Sequence, residues 1–281
     1  MADLKTYRAA GLLGHPVFAS RSPKIHRYWL DRHDIAGDYI LMPVQPEALE
    51  AALRGLAALG MAGCNVTMPH KEAAARLVDR LDPTARRMGA VNLIVVEPDG
   101  SLSGGNKDGV GFIQNLYDGK PDWRPAAGPA VVLGAGGGAR SVVVSLLERG
   151  VPEIRLLNRT RARAQVLKDE FGGPISVLDW SERHDALAGA ALLVNTTNQG
   201  MSGQPPLDLR LDALPTDALV SDIIYNPLSP PLLDRARARG NTAINGLGML
   251  LHQARQAFEA WWGVLPEVTP ELRAAVEATI R

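Results

Sequence analysis

The stretch GCNVTMPHKEA, residues 63–73, carries an amide (Asn65) and a hydroxyl (Thr67) with an apolar residue between them. Alternation of that kind turns both polar side chains to one face of a strand. Pro69 then ends the strand, and Lys71 heads an alanine-rich, helix-favouring run, so a cation stands at a strand-to-helix corner beside two hydrogen-bonding groups. A second chemical signal is VVLGAGGGARS, 131–141, where Gly134, Gly136 and Ala139 fit G-x-G-x-x-A. Gly134 permits a tight turn, Gly136 lets a pyrophosphate approach the backbone, and Ala139 keeps the following helix close to the sheet. That combination binds a dinucleotide. Its identity is set at the end of the next strand, where an acid favours NAD and arginine favours the 2′-phosphate of NADP. The chain reads NRTRAR there, 158–163: Asn158 and Arg159 occupy the place of the acid, and Arg161 or Arg163 can add charge, which predicts NADP.

These residues need a frame. Strands are predicted over 7–14, 38–44 and 63–68, with helices over 22–35, 46–60 and 71–79. AVNLIVVEPDGSLSGGN reads as a hairpin turning at Pro-Asp-Gly. DWRPAAGP, 122–129, is a connection rich in Pro and Gly, and after it continuous apolar strands (130–134, 153–158, 191–197, 218–225) alternate with helices, the pattern of a parallel α/β sheet. A strong helix, 249–263, follows.

Composition bounds the partners. The chain has 281 residues, enough for about two domains at ~150 residues each. Formal net charge is zero and no long block of one sign occurs, which argues against nucleic acid and anionic membranes. Cys64 is the only cysteine, so no intramolecular disulfide exists, which suits a cytoplasmic protein. No apolar run is long enough for a signal peptide or a membrane span. The histidines show no metal-ligand spacing, and no metal is expected; His70 and His252 read as packing or surface groups.

Other polar residues sit at predicted strand ends and turns: Ser20 and Ser22 before a helix, Asn92 in GAVNL, and Asp108 in the glycine-rich loop GGNKDGVG. Singly, each has a plain structural reading as a cap, a turn or a surface group; Ser22 in particular reads as a helix N-cap. Together they are more specific. GHPV…SRSPKIH, GCNVTMPHK, GAVN, GNKDG, GAGGGAR, NRT, NTTNQGM, DIIYNP and GLGMLLHQA follow one another in the order found in shikimate dehydrogenases, which the chain resembles over nearly its whole length.

The resemblance implies an NADP-dependent enzyme that interconverts 3-dehydroshikimate and shikimate in aromatic amino acid biosynthesis. It implies an α/β protein with an N-terminal substrate domain (1–108), a Rossmann domain (109–246), and last helices (247–281) returning to the substrate domain. It makes Lys71 the acid/base and Asp108 its partner. Ser20 and Ser22 would meet the substrate carboxylate, Thr67, Asn92, Asp108 and Gln253 its ring hydroxyls, with Asn65 in support and Tyr225 adding a phenol. The cofactor set would be Gly134, Ala135, Gly136, Gly137, Gly138, Asn158, Arg159, Thr160, Arg161, Arg163, Ile223 and Gly246. Chemically, an ammonium can stabilise a developing alkoxide and give it a proton. A neighbouring carboxylate favours that charged form, which suits an acid and opposes a base, so the direction of transfer stays open. The partner is a small molecule, and monomer and homodimer both fit.

Departures from the family pattern bear on substrate. Ala19 stands for a histidine, Leu93 and Lys107 for threonines, Asn198 for a serine and Pro230 for a threonine. Lys107 places a second cation beside Asp108: it either competes with Lys71 or points to solvent. Two alternatives therefore stand beside the main expectation, a dehydrogenase for quinate or a related polyhydroxy acid, and a catalytically silent Rossmann binding protein, which would have no use for Lys71 and Asp108.

Overall fold

A computed structural model describes residues 7–280. They fall into two compact units, one running to Lys107 and taking in Leu251–Thr279, the other Asp108–Leu250.

The first unit contains β1 (Arg8–Gly14), α1 (Ser22–Arg32), β2 (Gly37–Pro43), α2 (Leu49–Ala58), β3 (Met61–Val66), α3 (Lys71–Leu77), β4 (Arg80–Leu81), α4 (Pro83–Met88), β5 (Leu93–Val96) and β6 (Leu102–Gly105). Its sheet has the order β2-β1-β3-β5-β6-β4. β2, β1 and β3 are parallel, and the hairpin expected around Pro-Asp-Gly supplies the antiparallel β5 and β6. Side chains alternate across this sheet. Leu13, Cys64, Val66 and Ile94 meet Leu49, Leu53 and Leu56 of α2 on one face. Ala10, Leu12, Tyr39 and Leu93 meet Ala257 and Trp261 on the other.

The second unit begins with α5 (Asp108–Gly119), then β7 (Ala130–Leu133), α6 (Gly137–Glu148), β8 (Ile154–Leu157), α7 (Arg161–Phe171), β9 (Ile175–Leu178), β10 (Leu192–Asn195), β11 (Leu219–Asp222), α8 (Pro231–Ala238) and β12 (Ala243–Ile244). Its strands are all parallel in the order β12-β11-β10-β7-β8-β9, which is the doubly wound order of a Rossmann sheet. Burial on both faces explains the unbroken apolar strands: Ala130 and Val132 belong to one core, Val131 and Leu133 to the other. Asp108 lies at the first position of α5 and not in a loop; Gly109 and Gly111, both buried in that helix, disguise it in the sequence.

α9 (Leu247–Trp262) enters the first unit from Leu251 onward, and α10 (Pro270–Glu277) follows it there. Trp261 packs on the sheet and donates Nε1–H to the carbonyl of Ile94 at 2.9 Å. That contact explains Gly63, which sits at φ +149° with the place of a Cβ 2.0 Å from the Ile94 carbonyl oxygen and 2.6 Å from Trp261 Nε1. Gly63→Ala is expected to cost roughly 2–4 kcal/mol through overpacking and backbone strain, read as a lower midpoint in urea unfolding. An unchanged midpoint would mean that the sheet yields freely there.

Candidate active site

In the first unit three of the polar residues singled out by the sequence, Asn65, Asn92 and Gln253, lie on one hydrogen-bonded row with Tyr39, which the sequence did not single out. Tyr39, fully buried on β2, donates its hydroxyl to Asn65 Oδ1 at 2.7 Å. Asn65 Nδ2 donates to the Asn92 carbonyl at 2.9 Å. Asn92 uses both ends of its own amide: Nδ2 reaches Gln253 Oε1 at 3.3 Å, and Oδ1 accepts the Lys107 N–H at 2.8 Å. Asn65 and Asn92 are 4% and 2% exposed, so their orientation is set by these partners, since an unmatched buried amide costs about 1–3 kcal/mol. Gln253 is half-buried on α9 and is not a surface residue.

Lys71 is the first residue of α3, half-buried, and its carbonyl accepts the Val91 N–H at 2.9 Å. His70 beside it is 1% exposed, with Nε2 2.8 Å from the Val44 carbonyl oxygen, a packing role as expected. Thr67, half-buried, opens the turn that leads to Lys71, and its N–H donates to the Leu13 carbonyl. Ser22 is not the N-cap of α1: Arg21 holds that position without a side-chain bond. Ser20 Oγ instead accepts the Ser22 N–H and donates to Ser22 Oγ, both at 3.2 Å. The hydroxyls of Ser20 and Ser22 are thus brought together.

The departures have physical explanations. Lys107 neither stands in solvent nor lacks a partner: its ammonium binds Asp82 Oδ2 at 3.0 Å, and Asp82 Oδ1 caps α4 through the Ala85 N–H. Leu93 is 4% exposed and packs with Tyr39 and Trp261, where a hydroxyl would be out of place. Pro230 holds the N-cap position of α8, ahead of Pro231. Asn198 Nδ2 lies 3.4 Å from Gln204 Oε1 on the surface. Ala19 is exposed, and its carbonyl accepts from Arg21.

In the second unit the glycine loop joins β7 to α6, and Gly136 is the N-cap of that helix. No atom lies within 4 Å of a Cβ built on Gly136, so a phosphate could approach the helix N-terminus there. Around it the backbone is tightly packed. A Cβ would fall 2.4 Å from Thr196 Oγ1 at Gly134, 2.8 Å from Ile223 Cδ1 at Gly138, and 2.0 Å from the Ile223 carbonyl oxygen at Gly246. At the end of β8, Asn158 Nδ2 donates to the Thr160 carbonyl at 2.8 Å. Arg161 is held by Asp179 at 3.0 Å, and Arg159 and Arg163 beside it are exposed. These residues fit NADP. Tyr225 lies in the half-buried turn after β11.

Two polar residues of this unit, which open the motifs NTTNQGM and DIIYNP, received no role from the sequence. Asn195 and Asp222, both wholly buried, end β10 and β11 in register. Asn195 Nδ2 donates to Asp222 Oδ2 at 3.0 Å. Burial pushes the Asp222 carboxyl up to about 7, against the downward pull of the Asn195 and Ile224 hydrogen bonds. The signal in the sequence was an acid closing the apolar run ALVSD. Among the described residues there is no His, Cys, Asp and Glu cluster able to hold a metal.

Two predictions follow from these geometries. Tyr39→Phe strands Asn65 Oδ1 and is expected to lower stability by about 1–3 kcal/mol, measured by urea unfolding; a neutral change would show that Asn65 finds another donor. For Asp222, the folded carboxyl holds its proton more tightly than an unfolded one, so its contribution to stability is full below the ordinary value and is lost as pH rises through about 7. The unfolding free energy of wild type minus that of Asp222→Asn is expected to fall by on the order of 4 kcal/mol from about pH 4 to about pH 8. A flat difference would mean that Asp222 is ionised throughout.

Comparison with known proteins agrees with this geometry. Residues 12–94 match the shikimate dehydrogenase substrate binding domain, and residues 126–201 the shikimate / quinate 5-dehydrogenase family. A protein of Paramagnetospirillum magneticum named shikimate dehydrogenase (NADP(+)) is 57% identical over 96% of this chain and 98% of its own. Among solved structures, quinate dehydrogenase from Corynebacterium glutamicum in complex with NAD has a TM-score of 0.90 at 29% identity, covering 97% of this chain and 100% of that one. Shikimate 5-dehydrogenase from Thermus thermophilus, in complex with NADP(H) and shikimate, has a TM-score of 0.86 at 35% identity, over 97% and 100% of the two chains. With its Rossmann strand order, its open glycine loop and a full-length match of this depth, the chain belongs to the shikimate dehydrogenase family.

Proposed function

We propose that this protein is an NADP-dependent oxidoreductase that interconverts 3-dehydroshikimate and shikimate. The observation that carries the substrate assignment is the row Tyr39–Asn65–Asn92–Gln253, which gathers amides from β3, the 90–92 turn and α9 into one fixed set of donors and acceptors. A polyhydroxylated ring needs such fixed partners, because each unmatched buried group on either side would cost binding. In the proposed substrate domain, 1–108 with 247–281, Ser20 and Ser22 bind the carboxylate, while Thr67, Asn92 and Gln253 bind ring hydroxyls. Asn65 orients Asn92. In the proposed Rossmann domain, 109–246, the loop Gly134–Gly138 takes the pyrophosphate, with Asn158, Arg159, Thr160 and Arg163 at the adenosine end. Ile223 and Gly246 flank the loop.

When bound, NADPH supplies the hydride. Lys71 steadies the ketone oxygen as charge develops and gives it the proton, with Asp108 as its acidic counterpart and Tyr225 adding a phenolic hydroxyl. The same groups serve the reverse reaction. Lys107 stands outside this chemistry, because its charge is already met by Asp82.

Initial rates with shikimate or quinate, each with NADP+ or NAD+, test the reading: fast turnover is expected with shikimate and NADP+ alone. A preference for quinate would move the assignment to the other branch of the family. Lys71→Ala is expected to lower kcat by about 10³-fold, and a Lys71→Ala enzyme with full turnover would remove Lys71 from the mechanism.

A further inference from the structure

Asn195 and Asp222 have no part in the chemistry above, yet they are the most deeply buried polar pair of the second sheet, with no exposed surface on either. We propose that they are a positioning pair for the cofactor site, a hydrogen-bonded clamp that fixes the loops leaving β10 and β11 against the glycine loop. This rests on the NADP reading.

The clamp is built from complementary atoms. Asn195 Oδ1 accepts the Thr197 N–H at 3.0 Å and the Thr197 hydroxyl at 2.8 Å. Its Nδ2 donates to the Gln199 carbonyl at 3.2 Å as well as to Asp222. Asp222 Oδ1 accepts the Ile224 N–H at 3.0 Å, and the Ile223 N–H returns to the Asn195 carbonyl at 3.1 Å. Each loop is therefore tied to its own strand end, the two strand ends are tied to each other, and the Ile223 N–H crosses from the β11 loop to the end of β10.

Both loops touch the cofactor-binding backbone. Thr196, next to Asn195, donates Oγ1–H to the Leu133 carbonyl at 2.7 Å and fills the space over Gly134. Ile223, next to Asp222, lies with its backbone so close to Gly246 that no Cβ fits there, and its side-chain end packs against Gly138. A shift of either loop moves a wall of the site.

The residue types follow from the donor count. Two N–H groups, from Asn195 and Ile224, aim at position 222, and a carboxylate offers an oxygen to each, whereas an amide offers only one. Burial pushes Asp222 up to about 7, so ionising the carboxyl in the folded protein opposes stability.

NADPH binding is measured by fluorescence titration of the intact protein at about pH 8, together with steady-state kinetics. Three proteins are compared: wild type, Asp222→Asn, and the swap Asn195→Asp/Asp222→Asn. The swap keeps the bond between the strands with donor and acceptor exchanged and loses the one to Gln199. Asp222→Asn is expected to weaken NADPH binding about tenfold, with kcat at saturating NADPH changed less than threefold, and the swap is expected to recover most of the affinity. If Asp222→Asn does not fold, Asn195→Ala, which deletes the donor, takes its place with the same expectation. A folded single variant that binds NADPH within twofold of wild type overturns the clamp while leaving the NADP reading intact. A wild-type protein that fails to bind NADPH overturns both.

Discussion

Asn92 is the residue on which the first unit turns. Its carbonyl accepts the Val66 N–H and the Asn65 amide, its side-chain oxygen takes the Lys107 N–H, and its side-chain nitrogen reaches Gln253. Strand β3, the end of the β5–β6 hairpin and α9 therefore share a single buried amide. A buried amide must have its atoms matched, so these segments hold one register relative to each other. The aromatic layer behind them works to the same end. Tyr39 stacks on His26 with ring centroids 4.1 Å apart, and its hydroxyl fixes Asn65. His26 is itself fully buried, and burial lowers it to about 3, so it stays neutral and acts as packing.

The second unit follows a different rule, that of backbone closeness. Thr196 and the Ile223 backbone crowd the β7–α6 loop and Gly246 so closely that glycine is the residue that satisfies positions 134 and 246. The space left open is the space over Gly136, at the N-terminus of α6. Close packing on three sides and an opening on the fourth give a loop whose N–H groups are held ready for an anion.

Much of this was legible in the residues. Period-two alternation and continuous apolar runs located most strands of both sheets, though not the short β4, β9 and β12, and Pro-Asp-Gly located the hairpin. The family resemblance, and not any spacing, grouped Asn65, Asn92 and Gln253, and the structure links them by hydrogen bonds. Misreadings came where local composition contradicted tertiary context. GGNKDGVG looks like a loop because of its glycines, yet Asp108 starts a helix in which Gly109 and Gly111 are buried. Lys107 looked like a rival for Asp108, and its actual partner, Asp82, lies 25 residues earlier. Ser22 looked like an N-cap, but its neighbour Ser20 supplies the oxygen.

The sequence by itself determined the α/β class, the glycine loop and the character of the polar groups, because periodicity, turn chemistry and residue type are local properties. Only the tertiary structure decided which polar atoms face each other. Tyr39 on Asn65, Lys107 on Asp82 and Asn195 on Asp222 are pairings across strands and turns, and a hydrogen bond depends on distances of a few tenths of an ångström that no spacing along the chain encodes.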